Sequence, residues 1–132
     1  MRPVVLDSGP LDRIASDRTL RLRLEVLLRD GYYALVPAAV LAEAITGTRR
    51  DAPVHWAVNR MRVVATDRAT AELAGRLRHG AHRAGATPSG VDAIVAAHAA
   101  SVDGEAAVMT TDPDDLKALL VARPAVRVLT AS

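Results

Sequence analysis

Five short apolar runs punctuate the chain, and between them apolar residues recur at helical spacing. The runs are Val4-Val5-Leu6, Tyr33 to Val36, Val63-Val64-Ala65, Ala106 to Met109, and Val126 to Leu129. Each is strand-length and most are bounded by turn residues, which predicts buried strands. The intervals read as helices. Pro10 suits the first position of a short helix covering Leu11 to about Ala15. Asp17 is a good N-cap for a second, in which Leu20, Leu24, Leu27 and Leu28 form an apolar stripe, closed by Asp30-Gly31. Pro37 opens a helix carrying Val40, Leu41, Ala44 and Ile45, with Gly47 closing it, and Pro53 begins another with Trp56 and Met61. Asp67 caps a longer helix, Arg68 to about Arg83. After the loop Gly85 to Gly90 comes an alanine-rich helix with Val91, Ile94, Val95, His98 and Val102 along one side. A last helix holds Leu116, Leu119 and Leu120.

Strands alternating with helices predict an α/β fold. Its three layers are a mostly parallel central sheet and helices on both faces. With 132 residues and no linker, repeat or low-complexity tract, the chain is expected to be one domain, 1–132.

Composition sharpens this picture in three places. Phenylalanine is absent and Trp56, Tyr32 and Tyr33 are the only aromatics, so the core must be built from Val, Leu, Ile and Ala. The same shortage argues against an aromatic platform for stacking bases. The formal net charge is only +2, and Lys117 is the sole lysine among many arginines, so no basic patch is implied, though arginine suits phosphate contacts. Cysteine is absent, which excludes disulfides and thiolate metal sites and agrees with the cytoplasmic location expected here. No apolar run is long enough to span a bilayer, so no membrane partner is expected. Met1-Arg2-Pro3 runs straight into a strand and does not read as a signal peptide.

The candidate chemistry is acidic. Asp7 and Asp112 each follow a predicted strand directly, Glu43 lies just over a turn into the helix after the second strand, and Asp92 is in the first turn of the helix feeding the fourth. Each has a plain alternative. Asp7 and Asp112 can cap the helices they precede, Asp92 can complete a capping box with Ser89, and Glu43 can be a solvated helix residue. Together they differ, because all strand carboxyl ends of a parallel sheet share one edge, where α/β proteins place their crevice. Clustered carboxylates raise one another's pKa, and a hard divalent cation relieves the repulsion. Ser8 and Thr111 flank the acidic residues and could orient a carboxylate or a metal-bound water. Arg49, Arg50 and Lys117 are candidate phosphate contacts. His79 and His82 read as surface residues, and His98, on an apolar face, as a satisfied core histidine. No phosphate-cradling glycine motif or serine elbow occurs.

These residues resemble the PIN-domain ribonucleases, in particular VapC-type toxins of toxin–antitoxin pairs. The matching pieces are Val4-Val5-Leu6-Asp7-Ser8-Gly9, Val40-Leu41-Ala42-Glu43, Asp92 to Ala97, and Thr110-Thr111-Asp112-Pro113-Asp114-Asp115-Leu116, in the family's order. The resemblance implies a Rossmann-like sheet and Mg²⁺- or Mn²⁺-dependent endonuclease activity on RNA. It maps the acidic quartet onto Asp7, Glu43, Asp92 and Asp112. Asp7, Asp92 and Asp112 would be metal residues, with Asp115 at a further acidic position. It also implies a homodimer and a small antitoxin covering the site. Gly90-Val91 before Asp92 and His98 within that helix depart from the usual pattern.

Three other readings compete. A haloacid-dehalogenase-like phosphatase wants a second aspartate two residues after the first, where this chain has Gly9, and a response-regulator receiver wants a lysine after its last strand, where none lies. The third is a non-catalytic RNA- or protein-binding module of the same fold, which metal titration separates from a nuclease.

Overall fold

The computed structural model describes residues 1–131. Five strands form one all-parallel sheet: β1 (Arg2–Leu6), β2 (Tyr32–Pro37), β3 (Arg62–Val64), β4 (Ala106–Thr110) and β5 (Val126–Thr130), in the order β3-β2-β1-β4-β5. All five apolar runs are therefore strands, each within a residue or two of its expected bounds. The central strand β1 pairs Val4 with Ala34 on one side and Ala107 on the other. Its Val4, Val5 and Leu6 are fully buried, which is why the run is continuous rather than alternating.

Seven α-helices connect the strands: α1 (Ser8–Arg13), α2 (Arg18–Arg29), α3 (Leu41–Ala44), α4 (Ala52–Val58), α5 (Arg68–Arg83), α6 (Gly90–Ala100) and α7 (Pro113–Leu119). The connections β1 to β2 and β2 to β3 run one way across the sheet, whereas β3 to β4 and β4 to β5 run the other. Right-handed crossovers then require helices on opposite faces. Accordingly α1 packs against α3 and α4, while α6 packs against α5, α7, β1 and β4. The alanines of α6 explain its closeness: Ala93, Ala96, Ala97, Ala99 and Ala100 are all buried, and without branched side chains the helix lies directly on the sheet.

Some helix starts differ from expectation. Helix α1 begins at Ser8, two residues before Pro10, because Asp7 caps it. Pro37 is the last residue of β2 rather than the first of a helix; a 3-10 turn, Ala38–Val40, follows, and α3 is only four residues long. Asp17 and Asp67 cap as expected, accepting from Leu20 and Thr70 backbone N–H groups at 3.0 and 2.8 Å.

The leucine stripe of α2 divides. Leu20, Leu24 and Leu27 are in the core, whereas Leu28, with Leu22 and Val26, is exposed. Leu24 therefore reports on packing rather than on a contact surface. Leu24→Ala is expected to cost about 2–5 kcal/mol, read from urea melts, because a buried leucine leaves a cavity its neighbours fill only in part. His98 is a buried core histidine, as expected. Its Nε2 lies 2.8 Å from the Thr66 hydroxyl, and burial pushes its pKa down, against the charge of Asp67.

Candidate functional site: an acidic edge at the strand carboxyl ends

The site forms where the strand order reverses. Connections leave β1 toward β2 on one side, and β4 stands on its other side, so the loops after β1 and β4 part and leave a crevice. Asp7 directly follows β1, and Asp112 stands two residues past the end of β4.

Asp7 is the most constrained carboxylate. It is only 6% exposed. Its Oδ1 accepts from the Ser8 backbone N–H at 2.9 Å and its Oδ2 from the Thr110 hydroxyl at 3.0 Å. Burial nonetheless raises its pKa, against those two hydrogen bonds, and the charges of Asp92 and Glu43 raise it further. Three members of the expected quartet thus share one electrostatic neighbourhood. Ser8 joins two of them directly, since its hydroxyl donates to Glu43 Oε1 at 3.3 Å while its N–H serves Asp7.

Asp92 occupies the capping box that the sequence allowed. Its Oδ2 accepts from Ser89 N–H at 3.0 Å, and its own N–H donates to Ser89 Oγ at 3.1 Å. One oxygen is engaged there; Oδ1 accepts no hydrogen bond among the described residues, so capping uses only part of the carboxylate.

Asp112 turns out otherwise. It stands at the N-cap position of α7, yet its side chain makes no capping hydrogen bond. Its carboxylate acts on Asp115. Burial is the largest cause of the raised Asp115 pKa, followed by Asp112 and then by the charges of Asp92 and Asp114. Asp115 and Asp92 link the two halves of the edge: Asp7, Glu43 and Asp92 on one side, Asp112 and Asp115 on the other.

Thr110 was not singled out in the sequence, and it holds this edge together. It is fully buried, donates to Asp7 Oδ2, and accepts from Asp112 N–H at 3.0 Å. Thr111, the expected orienting hydroxyl, is exposed and makes no hydrogen bond among the described residues. The available signal was register: Leu6 pairs with Met109, so the next residues, Asp7 and Thr110, stand side by side. Thr110→Val keeps the shape but removes the donor. It should cost about 1–3 kcal/mol at neutral pH, and less in acid where Asp7 is protonated, as read by melts at both pH values.

Gly9 is the second residue whose part only the fold reveals. A Cβ there would run into the Thr111 side chain, at 2.7 Å from its Cγ2, so the start of α1 approaches the loop after β4 this closely with Thr111 in its present rotamer only because position 9 has no side chain. The position that counts against a phosphatase is thus filled for a packing reason.

The donor set suits a hard divalent cation: it consists of carboxylate oxygens, and Mg²⁺ needs only one or two of them with several waters. Among the described residues, no three carboxylates or imidazoles already stand at metal-ligand spacing. The charges of Asp92 and Glu43 act on Asp7, and those of Asp112, Asp92 and Asp114 on Asp115, so these carboxylates are electrostatic neighbours. Arg49 and Arg50 lie in the loop after α3 and Lys117 one turn into α7, all exposed.

No family model and no curated protein matches the chain. Solved structures do. A chain of the VapBC complex from Salmonella typhimurium, bound to DNA, is similar with TM-score 0.75 and 20% identity over 100% of both chains. A chain of VapBC2 from Rickettsia felis, bound to a DNA fragment from its promoter, gives TM-score 0.75 and 16% identity over 97% of this chain and 98% of that one. FitAcB from Neisseria gonorrhoeae gives 0.65 and 17% over 97% of each. At such identities the likeness is one of fold: the chain shares its all-parallel, three-layer α/β fold with chains of these VapBC and FitAcB structures.

Proposed function

We propose that the protein is a divalent-metal-dependent endoribonuclease, the toxin of a toxin–antitoxin pair. The observation that carries this reading is the buried Asp7 at the sheet's switch point, its pKa raised by burial and by Asp92 and Glu43. A carboxylate kept in that position is destabilised while no cation is bound, and perturbed groups in a crevice are a mark of functional sites.

In this reading Asp7 and Asp92 offer the oxygens that hold Mg²⁺ or Mn²⁺, directly or through water, with Asp112 completing the set. When bound, such a cation supplies a more acidic water and stabilises charge on the phosphoryl oxygens. Thr110 keeps Asp7 oriented through Oδ2, and Ser8 holds Glu43 beside it. Glu43 and Asp112 orient the water that attacks phosphorus in line, so the RNA 2′-hydroxyl need not be the nucleophile. Asp115 shares negative charge with Asp112 and adds to the cluster's demand for a cation.

The partner reading draws on the VapBC and FitAcB likenesses, whose names denote two-component complexes. It takes a small antitoxin as the partner, with a second copy of the chain as a further one. Exposed apolar side chains stand ready on one face: Leu28 and Trp56, 44% and 41% exposed, border a cavity of about 190 Å³ with Ile14, Leu24 and Met61. Exposed apolar patches of this kind mark interaction sites.

The test is incubation of purified protein with structured and unstructured RNAs in Mg²⁺, Mn²⁺ or EDTA, followed by end mapping. Cleavage in Mn²⁺ that stops in EDTA supports the reading. Binding of RNA or a partner with no cleavage in any metal would instead establish the non-catalytic module.

A further inference from the structure

The loop that follows Glu43 is organised around a buried carboxylate that takes no part in the acidic edge. Asp51 is 5% exposed. Its Oδ1 accepts from Thr46 N–H at 2.8 Å and from the Thr46 hydroxyl at 2.7 Å, and its Oδ2 accepts from Gly47 N–H at 2.7 Å. Thr48 closes the ring. Its hydroxyl lies 2.7 Å from Thr46 Oγ1 and accepts from Arg50 N–H at 3.2 Å. Gly47, at φ +77°, supplies the left-handed turn.

This wiring has a consequence for charge. Asp51 is adjacent to Arg50 in sequence, yet its oxygens are committed inward to the loop. Among the described residues neither the Arg49 nor the Arg50 guanidinium has an ion-pair or hydrogen-bond partner. Both are exposed and, with Thr46 and Thr48, border an open depression of about 520 Å³ with no apolar residue in its lining. The two threonine hydroxyls are engaged with the loop itself, so what the depression offers a ligand is two free guanidinium groups. The loop follows the acidic edge in the chain: Arg49 is six residues past Glu43, a backbone span of at most ~22 Å.

We infer that the Thr46–Asp51 loop is a preformed site for backbone phosphates of the RNA strand held at the acidic edge, with Arg49 and Arg50 making the contacts. The inference rests on reading that edge as an RNA-cleaving site. An acidic cluster repels a polyanion, and unpaired guanidinium groups on a neighbouring loop offset the repulsion along the path of the strand. Phosphate contacts position a strand without reading its sequence, which suits a chain with no aromatic platform.

The experiment measures binding of a labelled single-stranded RNA by fluorescence anisotropy in EDTA across a NaCl series. Wild type is compared with Arg49→Ala/Arg50→Ala and with Arg29→Ala. Arg29 is exposed at the end of α2, two residues before Gly31, whose carbonyl accepts from Arg2 N–H at the amino-terminal end of β1, away from the strand carboxyl ends. The double variant should bind about tenfold more weakly at low salt, with the slope of log affinity against log salt reduced by about 1.4, or 0.7 per lost contact. Arg29→Ala should leave both unchanged. A glutamine pair, which keeps the aliphatic stems, replaces the alanine pair if circular dichroism shows lost structure. Unchanged affinity and slope in the double variant would overturn the inference, as would an equal loss in Arg29→Ala. Because cleavage is not needed for this readout, the two readings fail separately. An arginine-dependent binder that never cleaves in Mn²⁺ refutes the nuclease, and a Mn²⁺-dependent nuclease indifferent to Arg49 and Arg50 refutes the loop.

Discussion

Asp7→Asn is expected to abolish metal-dependent RNA cleavage and, in EDTA, to make the protein more stable than wild type. If Asp7 holds the cation as proposed, losing its carboxylate removes several kcal/mol of charge stabilisation, a rate loss of about 10³-fold or more. The stability gain follows from the raised Asp7 pKa. Folding a carboxyl into a place that raises its pKa costs nothing extra below its unfolded pKa, where it is protonated in both states. The penalty grows as pH rises from the unfolded value to the folded one, where the unfolded chain has released a proton that the folded chain still holds, and it is complete above the folded value. Asparagine carries no such charge. Its carbonyl can still accept from Ser8 N–H, and its amide can donate to the Thr110 hydroxyl. Thermal melts across acid to neutral pH should therefore show wild type and variant converging in acid and separating toward neutrality, with the variant higher. A folded Asp7→Asn protein that still cleaves at the wild-type rate would remove Asp7 from the metal site. A variant less stable at every pH would mean that the carboxylate is kept for helix capping alone.

Mn²⁺ or Mg²⁺ should raise the thermal midpoint of wild type well beyond what NaCl of equal ionic strength achieves. A ligand specific for the folded state contributes about 2.7 kcal/mol at 100 times its dissociation constant. For a domain of this size that is a shift of roughly 10 °C. Asp112→Asn should shrink this metal response. It should also stabilise the metal-free protein, because the Asp112 side chain caps nothing and lies against Asp115. The sequence alone left that sign open, since Asp112-Pro113 is a good helix start and loss of a cap would cost about 1 kcal/mol. Melting both proteins in EDTA, NaCl and MnCl₂ separates the cases. Equal shifts by all salts in wild type would reject the metal cluster.

Much of the architecture was legible along the chain because its signals are local. A run such as Val4-Val5-Leu6 is apolar at every position since a parallel strand between two helix layers buries both faces. Asp17 and Asp67 could be assigned as caps because capping acts over three residues, within the reach of sequence reading. The side of the sheet on which the acidic residues stand was legible for a related reason: in an all-parallel sheet every strand carboxyl end points to one edge, so following a strand puts Asp7 and Asp112 on that edge.

What only the tertiary structure decided are the contacts between residues far apart in sequence. Thr110 and Asp7, 103 residues apart, meet because β1 and β4 are neighbours, and the neighbouring Thr111 carries the same hydroxyl with no such contact. The clearance between Gly9 and Thr111 depends on how α1 enters beside the loop after β4. The division of the α2 stripe, with Leu24 inside and Leu28 outside, depends on where the helix meets the sheet rather than on its periodicity. Nothing local marks Asp51, which follows two arginines, and its burial comes from the loop folding back on it. Composition and periodicity settle which segments are strands and helices, because hydrogen bonding and burial there follow the local repeat. Which hydroxyl meets which carboxylate is a matter of distance in space, set by strand order and helix entry, and no local repeat encodes it.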